Sequence, residues 1–420
     1  MPAKTMDLTL INRHWKEGFV YPFPEKRDLY PVIAAALETQ AIISLVGLRR
    51  TGKTTLLKQF INHLIENGVP RHDILLYSFD EPAELQAVFD EYFRLTANNL
   101  DSNMLYFFLD EIQKLPDWQN KLKLYYDHYP NLKFIVSGSS SVFLRKRSES
   151  LAGRIREFWL PPLSFGEFLR FRGKGELAEK QALFASQLGK ELEQFALRPF
   201  INILNEPAES ASEYLNTLLR KVVFEDIPQV YPVEQPQMLL KIFQIIASNP
   251  GMLLDYRSLS SDISMNEKTL SNYVHYLEQA FLIKRLYNYS SNRLTSEKKL
   301  KKVYPLASAF CQAETAKVME ALAVTQSASV FFWRQTHEVD MVILENGKPL
   351  PIEVKYADAP RKKDLTGLQK FMERFHAEAG IVLTKQLEKR EGNMSYIPLW
   401  KWLLGDQRGL RPFPSEPKKG

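Results

Sequence analysis

A single cysteine, Cys311, stands in 420 residues. One thiol excludes an internal disulfide framework and suits a reducing compartment, so a cytoplasmic protein is expected. Long apolar runs are missing as well. Nothing approaches the roughly 18 residues that a membrane-spanning helix needs, and no membrane is expected as a partner. The N-terminus lacks the apolar core of a secretory signal. What is there is ordinary: 45% hydrophobic and 25% charged residues describe a chain most of which folds. Its length predicts two to four domains rather than one core. A net charge of +6 does not by itself select an anionic partner, because solvated surface lysines give the same total.

One stretch organises the rest. Gly47-Leu48-Arg49-Arg50-Thr51-Gly52-Lys53-Thr54 fits G-x-x-x-x-G-K-[ST]; an apolar strand pattern over 41–46 precedes it and a helical pattern over 55–61 follows. Gly47 and Gly52 permit the turns that aim backbone N–H groups at a polyphosphate, and the new helix adds its positive end. Within this loop Gly47, Arg50, Thr51, Gly52, Lys53, Thr54 and Thr55 are the predicted nucleotide contacts. Lys53 reaches the β- and γ-phosphates, and the Thr54 hydroxyl is placed for magnesium. A second apolar run, Leu105 to Leu109, ends in Asp110 and Glu111. Continuous apolarity predicts a strand buried on both faces of a parallel sheet. Asp110 is then the second magnesium residue, and Glu111 the base that polarises the attacking water. A further strand over 133–140 offers Ser137 and Ser139 as γ-phosphate sensors or as plain turn residues. Arg154 is the candidate arginine finger, with Arg145, Arg147 and Arg156 as competitors.

These motifs, with Leu109-Asp110-Glu111-Ile112-Gln113, Ser137-Gly138-Ser139, Leu151-Ala152-Gly153-Arg154 and Pro162-Leu163-Ser164-Phe165-Gly166-Glu167-Phe168, resemble the archaeal-type P-loop ATPases of the AAA+/STAND group. The resemblance implies ATP rather than GTP; the residues themselves add only the absence of an Asn-Lys-x-Asp run.

Farther on, the spacing predicts helices over 238–248, 256–263 and 268–281 and a strand over 282–287, the order of a winged helix-turn-helix. Its third helix presents Lys268 and Asn272 together with Asn266, Thr269, Ser271 and His275. Lys284, Arg285, Arg293, Lys298, Lys299, Lys301 and Lys302 then surround one acid, Glu297, with Tyr287 and Tyr289 interleaved. Basic residues mixed with aromatics predict a DNA contact, and a solvated charged loop is the alternative.

In the last quarter, strands over 329–334, 338–344 and 351–355 put Asp340, Glu353 and Lys355 in a D-x(12)-E-x-K arrangement. Two carboxylates that bind magnesium beside a lysine can serve phosphodiester cleavage. The arrangement resembles the PD-(D/E)XK nuclease fold, which the ATPase group above often carries at its C-terminus. That fold implies a further acid from an upstream helix; Glu314 is the choice and Glu320 the competitor. Val339, not Pro, precedes Asp340.

The expected fold is therefore α/β. A P-loop ATPase domain, with a parallel sheet and helices on both faces, spans 1–200 and includes a helical lid portion from about 165. A helical and winged helix-turn-helix domain spans 201–302, a restriction-endonuclease-like domain 303–405, and a mobile basic tail 406–420. The expected function is ATP hydrolysis with magnesium, coupled to DNA binding or remodelling. The alternative is an ATP-dependent switch that binds a protein partner and carries an inactive nuclease-like domain. Oligomerisation is left open.

Overall fold

The computed structural model describes residues 7–100, 103–139, 151–292, 296, 300–327 and 330–405. They divide into two compact units, Met1–Pro161 and Pro162–Gly420.

In the first unit, strands β1 (Ile42–Val46), β2 (Ile74–Ser78), β3 (Leu105–Asp110), β4 (Leu132–Gly138) and β5 (Ile155–Trp159) form a parallel sheet of order β2-β3-β4-β1-β5. Helices α1 (Tyr30–Leu37), α2 (Lys53–Glu66), α3 (Leu85–Thr96) and α4 (Trp118–His128) accompany it. β1 and β4 are buried along their whole length, as apolar strands of a covered parallel sheet should be. Because β4 lies between β1 and β3, the carboxyl ends of all three point to one edge, where ligands bind in such sheets. β5 escaped the sequence reading. Its Ile-Arg-Glu-Phe-Trp pattern belongs to an edge strand with one buried position.

Two buried bases hold this unit together. Lys133 donates to the carbonyls of Ala36, Thr39 and Ala41, closing the end of α1, and burial pushes its ammonium down to about 8. His14 is fully buried, with Nδ1 3.1 Å from the Tyr21 hydroxyl and Nε2 3.1 Å from the Ile74 carbonyl. A neutral ring satisfies both, donating to Ile74 and accepting from Tyr21. Burial pushes its pKa from 6.5 down to about 4. The unfolded state therefore binds a proton first. The stabilisation is complete above pH 6.5 and is lost as pH falls towards 4, a swing of about 3 kcal/mol. Denaturant titrations at neutral and acid pH should show that loss in the wild type and a shallower one in His14→Gln; equal slopes would refute it.

The second unit joins a three-stranded antiparallel sheet to a six-stranded mixed one. Helices α5 (Phe165–Phe171), α6 (Gln181–Leu197) and α7 (Ala208–Lys221) lead into α8 (Pro236–Ser248), β6 (Met252–Leu254), α9 (Tyr256–Asp262) and α10 (Glu267–Gln279). β7 (Ile283–Leu286) and β8 (Lys301–Pro305) complete the small sheet, ordered β6-β8-β7. After α11 (Thr315–Gln326) come β9 (Phe331–Arg334), β10 (Glu338–Glu345), β11 (Lys348–Val354), α12 (Thr366–Phe375), β12 (Gly380–Thr384), β13 (Lys389–Glu391), β14 (Met394–Pro398) and α13 (Leu399–Gly405). Their sheet runs β13-β14-β12-β11-β10-β9.

The break between units falls at 161, earlier than the boundary near 200, and the reason is packing. Phe165, Phe168 and Leu169 of α5 and Leu188, Leu192 and Phe195 of α6 share one core with Leu322, Met341, Ile352 and Trp400. The lid portion expected from about 165 is built into the second unit. Ser164 and Glu167 form a reciprocal cap that starts α5. A second core, Trp333, Val339, Val342, Leu368, Phe371 and Val382, lies where α12 meets the six-stranded sheet. Gly367 makes that approach possible. A Cβ there would stand 1.9 Å from the Glu338 carbonyl oxygen.

Candidate functional site

The loop between β1 and α2 is held from three sides. A Cβ on Gly47 would stand 2.3 Å from the Leu160 carbonyl oxygen just beyond β5, so the first loop position admits only glycine. Gly52 takes φ +98° immediately before α2, a left-handed conformation that glycine accepts without strain. Arg50 is also left-handed, at φ 67°. Thr51 is buried. Its Oγ1 donates to the Leu48 carbonyl at 2.9 Å, and its own carbonyl accepts from Arg27 at 2.6 Å. The second Arg27 nitrogen donates to the Pro161 carbonyl at 2.9 Å. Lys53, the first residue of α2, donates to the carbonyls of Gly47 and Leu48 at 2.9 and 3.1 Å.

Beside the loop, a chain of oxygens converges on Asp110. Thr54 Oγ1 donates to Asp110 Oδ2 at 2.6 Å, while Ser137 Oγ and the Glu111 N–H donate to Oδ1. β1, β3 and β4 are sheet neighbours, so residues distant in sequence meet at their carboxyl ends. Glu111 sits left-handed at φ 50°, which turns the chain out of β3. Burial raises its carboxyl above the usual range, partly offset by Lys53 and reinforced by Asp110. Gln113 Nε2 donates both to Glu111 Oε2 and to Ser139 Oγ, the latter at 3.2 Å. Gln113 and Arg27 were missed as site residues. No sequence spacing announces a glutamine that links the ends of two strands, or an arginine that reaches back to a loop.

Magnesium fits this donor set. It takes oxygen ligands and is commonly held by one or two protein oxygens plus substrate phosphates and water. The Thr54 hydroxyl and the Asp110 carboxylate supply such a pair. Among the described residues, no group of three or more His, Cys, Asp or Glu could hold an ion alone.

Residues 39–169 match a family model described as an AAA domain. This part of the chain is similar to an AAA domain. Two further models match residues 201–314 and 312–402, described as domains of unknown function DUF8612 and DUF4143. An uncharacterized protein of Methanocaldococcus jannaschii is 25% identical over 94% of this chain and 91% of its own length. An uncharacterized protein of Haemophilus influenzae is 28% identical over 60% of this chain, and the match spans 64% of that relative. Among solved structures, the Thermotoga maritima RuvB Holliday junction branch migration motor is similar with TM-score 0.32 and 18% identity, over 61% of this chain and 88% of that one. The Aeropyrum pernix ORC2 protein in its ADP form gives TM-score 0.36 and 13% identity, over 70% and 93%.

The first unit does not bring Arg154 to the phosphate loop. Its carbonyl accepts from Ile42 N at the start of β1, whereas the loop begins after Val46 at the other end of that strand. The strand separates them by about 13 Å. The guanidinium is engaged with Asp127 at 2.7 and 3.2 Å. Arg156 stands over the Phe158 ring in the same strand. Arg145 and Arg147 lie outside the described residues.

The basic residues of the second unit are dispersed. Lys284 donates to the carbonyls of Val324 and Ser327, and burial pushes its ammonium down to about 8. Arg285 pairs with Glu278. Lys302 is 2% exposed and faces carboxylates. Lys302 is buried, while Lys284 and Arg285 are half-buried and already engaged with protein partners. Lys301 stands over the Tyr287 ring, and Tyr289 packs against Phe331, Phe371 and Phe375. Asn266 accepts from Lys268 N and Thr269 N as the cap of α10, while Lys268 and Asn272 are exposed on that helix. Arg293, Lys298, Lys299 and the tail from 406 to 420 lie outside the described residues.

Asp340, Glu353 and Lys355 do come together. Lys355 Nζ lies 2.6 Å from Glu353 Oε1 and 3.7 Å from Asp340 Oδ2, and Asp340 Oδ2 accepts from Val354 N at 3.0 Å. A register shift in β10 between Val339 and Val342 helps to aim Asp340. Burial and the Asp340 charge push the Glu353 carboxyl up to about 8. The acid contributed by α11 is Glu320, buried and accepting from the Tyr304 hydroxyl at 2.8 Å. Glu314 is exposed at the start of α11.

Proposed function

We propose that the protein hydrolyses ATP at Lys53, Thr54, Asp110 and Glu111 and acts as a nucleotide-dependent switch on a protein partner. The observation that carries the ATPase reading is the contact of Thr54 with Asp110, which Ser137 completes from the next strand. Lys53 and the loop N–H groups bind the β- and γ-phosphates. Glu111 accepts the proton of the attacking water, and Gln113 orients that carboxylate. Held by Thr54 and Asp110, magnesium supplies charge neutralisation at the phosphate oxygens. Ser137 keeps Asp110 oriented, and Ser139 is within reach of the same glutamine as Glu111.

The choice of a protein partner over DNA rests on where the cations go. Lys284, Arg285 and Lys302 are committed internally. The exposed face of α10 offers Glu267, Lys268, Ser271, Asn272 and His275, a mixed surface rather than a basic one. The order helix, strand, helix, helix, strand, strand from α8 to β8 supports a winged-helix reading of this module, and such modules also bind proteins. The six-stranded sheet, with Asp340, Glu353 and Lys355 brought together on it, supports a nuclease-like reading of this part.

Lys53→Ala should abolish ATP binding and turnover together; retained turnover would remove the ATPase assignment. DNA titrations of the wild type and of Lys268→Ala/Asn272→Ala over a range of salt decide the partner class. Specific DNA binding that weakens steeply with salt and is lost in the variant would restore the DNA reading.

A further inference from the structure

We infer that the carboxylate cluster of the second unit is closed to metal ions because Lys302 fills it as a built-in cation. The inference is independent of ATP hydrolysis in the first unit. The nuclease resemblance calls for Asp340 and Glu353 to hold magnesium with help from an acid of an upstream helix. Those acids are present, and a lysine stands among them.

Lys302 projects from β8 of the three-stranded sheet. Its Nζ lies 2.5 Å from Glu338 Oε1, 3.6 Å from Glu320 Oε1 and 3.9 Å from Asp340 Oδ1. Its side chain is 2% exposed and lies against the Phe332 ring, with Nζ 5.6 Å from the centroid. Lys355 approaches from β11 and takes Glu353 and the other Asp340 oxygen. Each Asp340 oxygen thus faces its own ammonium, and the two ammonium groups together carry the charge of one divalent ion.

A metal ion bound here would have to displace a lysine whose side chain is 2% exposed. A buried ammonium removed from its partners carries a large desolvation penalty. Nor is there a vacant arrangement beside it. Four acids crowd the region, and each is already turned to a lysine, Glu338, Glu320 and Asp340 to Lys302 and Glu353 to Lys355. The remaining polar groups are committed as well: the Tyr304 hydroxyl donates to Glu320 Oε1, Lys317 pairs with Glu320 Oε2 at 2.7 Å, and Arg334 lies 3.5 Å from Glu338 Oε2. The cluster works as a charge-balanced joint. It fastens β8 of the small sheet to β10 of the large one, and it does so with the residues from which a nuclease would build its metal site.

The test is Mn2+ binding to the full chain without nucleotide, read by the loss of the free-ion electron paramagnetic resonance signal. Wild type and Asp340→Asn should give superimposable isotherms, because no ion binds at Asp340 in either. Lys302→Met should gain a Mn2+ site at least about tenfold tighter than any in the wild type, equivalent to about 1.4 kcal/mol. Adding Asp340→Asn to Lys302→Met should remove it. A wild-type Mn2+ site that disappears in Asp340→Asn overturns the inference, and so does a folded Lys302→Met that gains none. If Lys302→Met does not fold, Lys302→Met/Glu338→Gln removes a cation and an anion together and is read in the same way. The wild-type comparison needs no Lys302 variant and decides the closed state by itself.

Discussion

Glu111→Gln should leave ATP bound and unreacted, with turnover lowered by about 10²- to 10⁴-fold, the range a positioned general base supplies. The exchange keeps the size of the side chain and its contact with Gln113, and it leaves the Thr54–Asp110 contact alone. What is lost is a carboxylate able to take a proton. Burial already holds that carboxyl above its usual range, so the wild-type rate should fall on the acid side as Glu111 protonates. Single-turnover phosphate release, paired with equilibrium binding of a fluorescent ATP analogue, separates the two effects. Unchanged release, or release lost only in proportion to binding, would remove Glu111 from the role of base.

Lys302→Met carries the largest expected effect on stability. Methionine fills much of the same space but leaves Glu320, Glu338 and Asp340 facing one another without their central cation. Breaking a buried pair by removing one partner costs about 3–5 kcal/mol. Lys355→Met should cost less, because the Lys355 side chain is 30% exposed and water can replace part of what it gives. Lys268→Met, on the exposed face of α10, should leave the denaturation midpoint unchanged. Urea titrations of the three variants give the ranking. A Lys302→Met protein as stable as the wild type would mean that the cluster does not depend on the lysine.

The contrast between these two sites explains what could be read from the sequence. The phosphate loop is contiguous, and its glycines, lysine and threonine act through backbone geometry fixed over a few residues. Asp110 and Glu111 stand out because an apolar strand ending in two acids follows a complete phosphate loop; alone, such a strand end would read as solvated. Asp340, Glu353 and Lys355 were legible for a related reason: β10 and β11 are joined by a tight turn, so the pairing Met341 to Ile352 brings Asp340 opposite Glu353. The destination of Lys302 was not legible. In sequence it belongs to a run of basic residues, and a run of that kind reads as surface. Only its pairing with Leu253 and Leu286 in the small sheet carries it inward. The choice between Glu314 and Glu320 depended on which turn of α11 faces β8, and Arg154 on which edge of the sheet begins β5. Both are matters of tertiary placement. The segment 155–159 failed for want of pattern, since a strand with one buried position carries almost no periodic signal.

Arg27 has a mechanical consequence. Its guanidinium is a clasp with one hand on the Thr51 carbonyl inside the phosphate loop and the other on Pro161, the last residue of the first unit. Loop and exit strand therefore cannot part company without leaving a carbonyl unpaired beside a buried charge. Any rearrangement at Thr51 is felt, within the span of one side chain, at the residue from which the polypeptide departs for everything downstream.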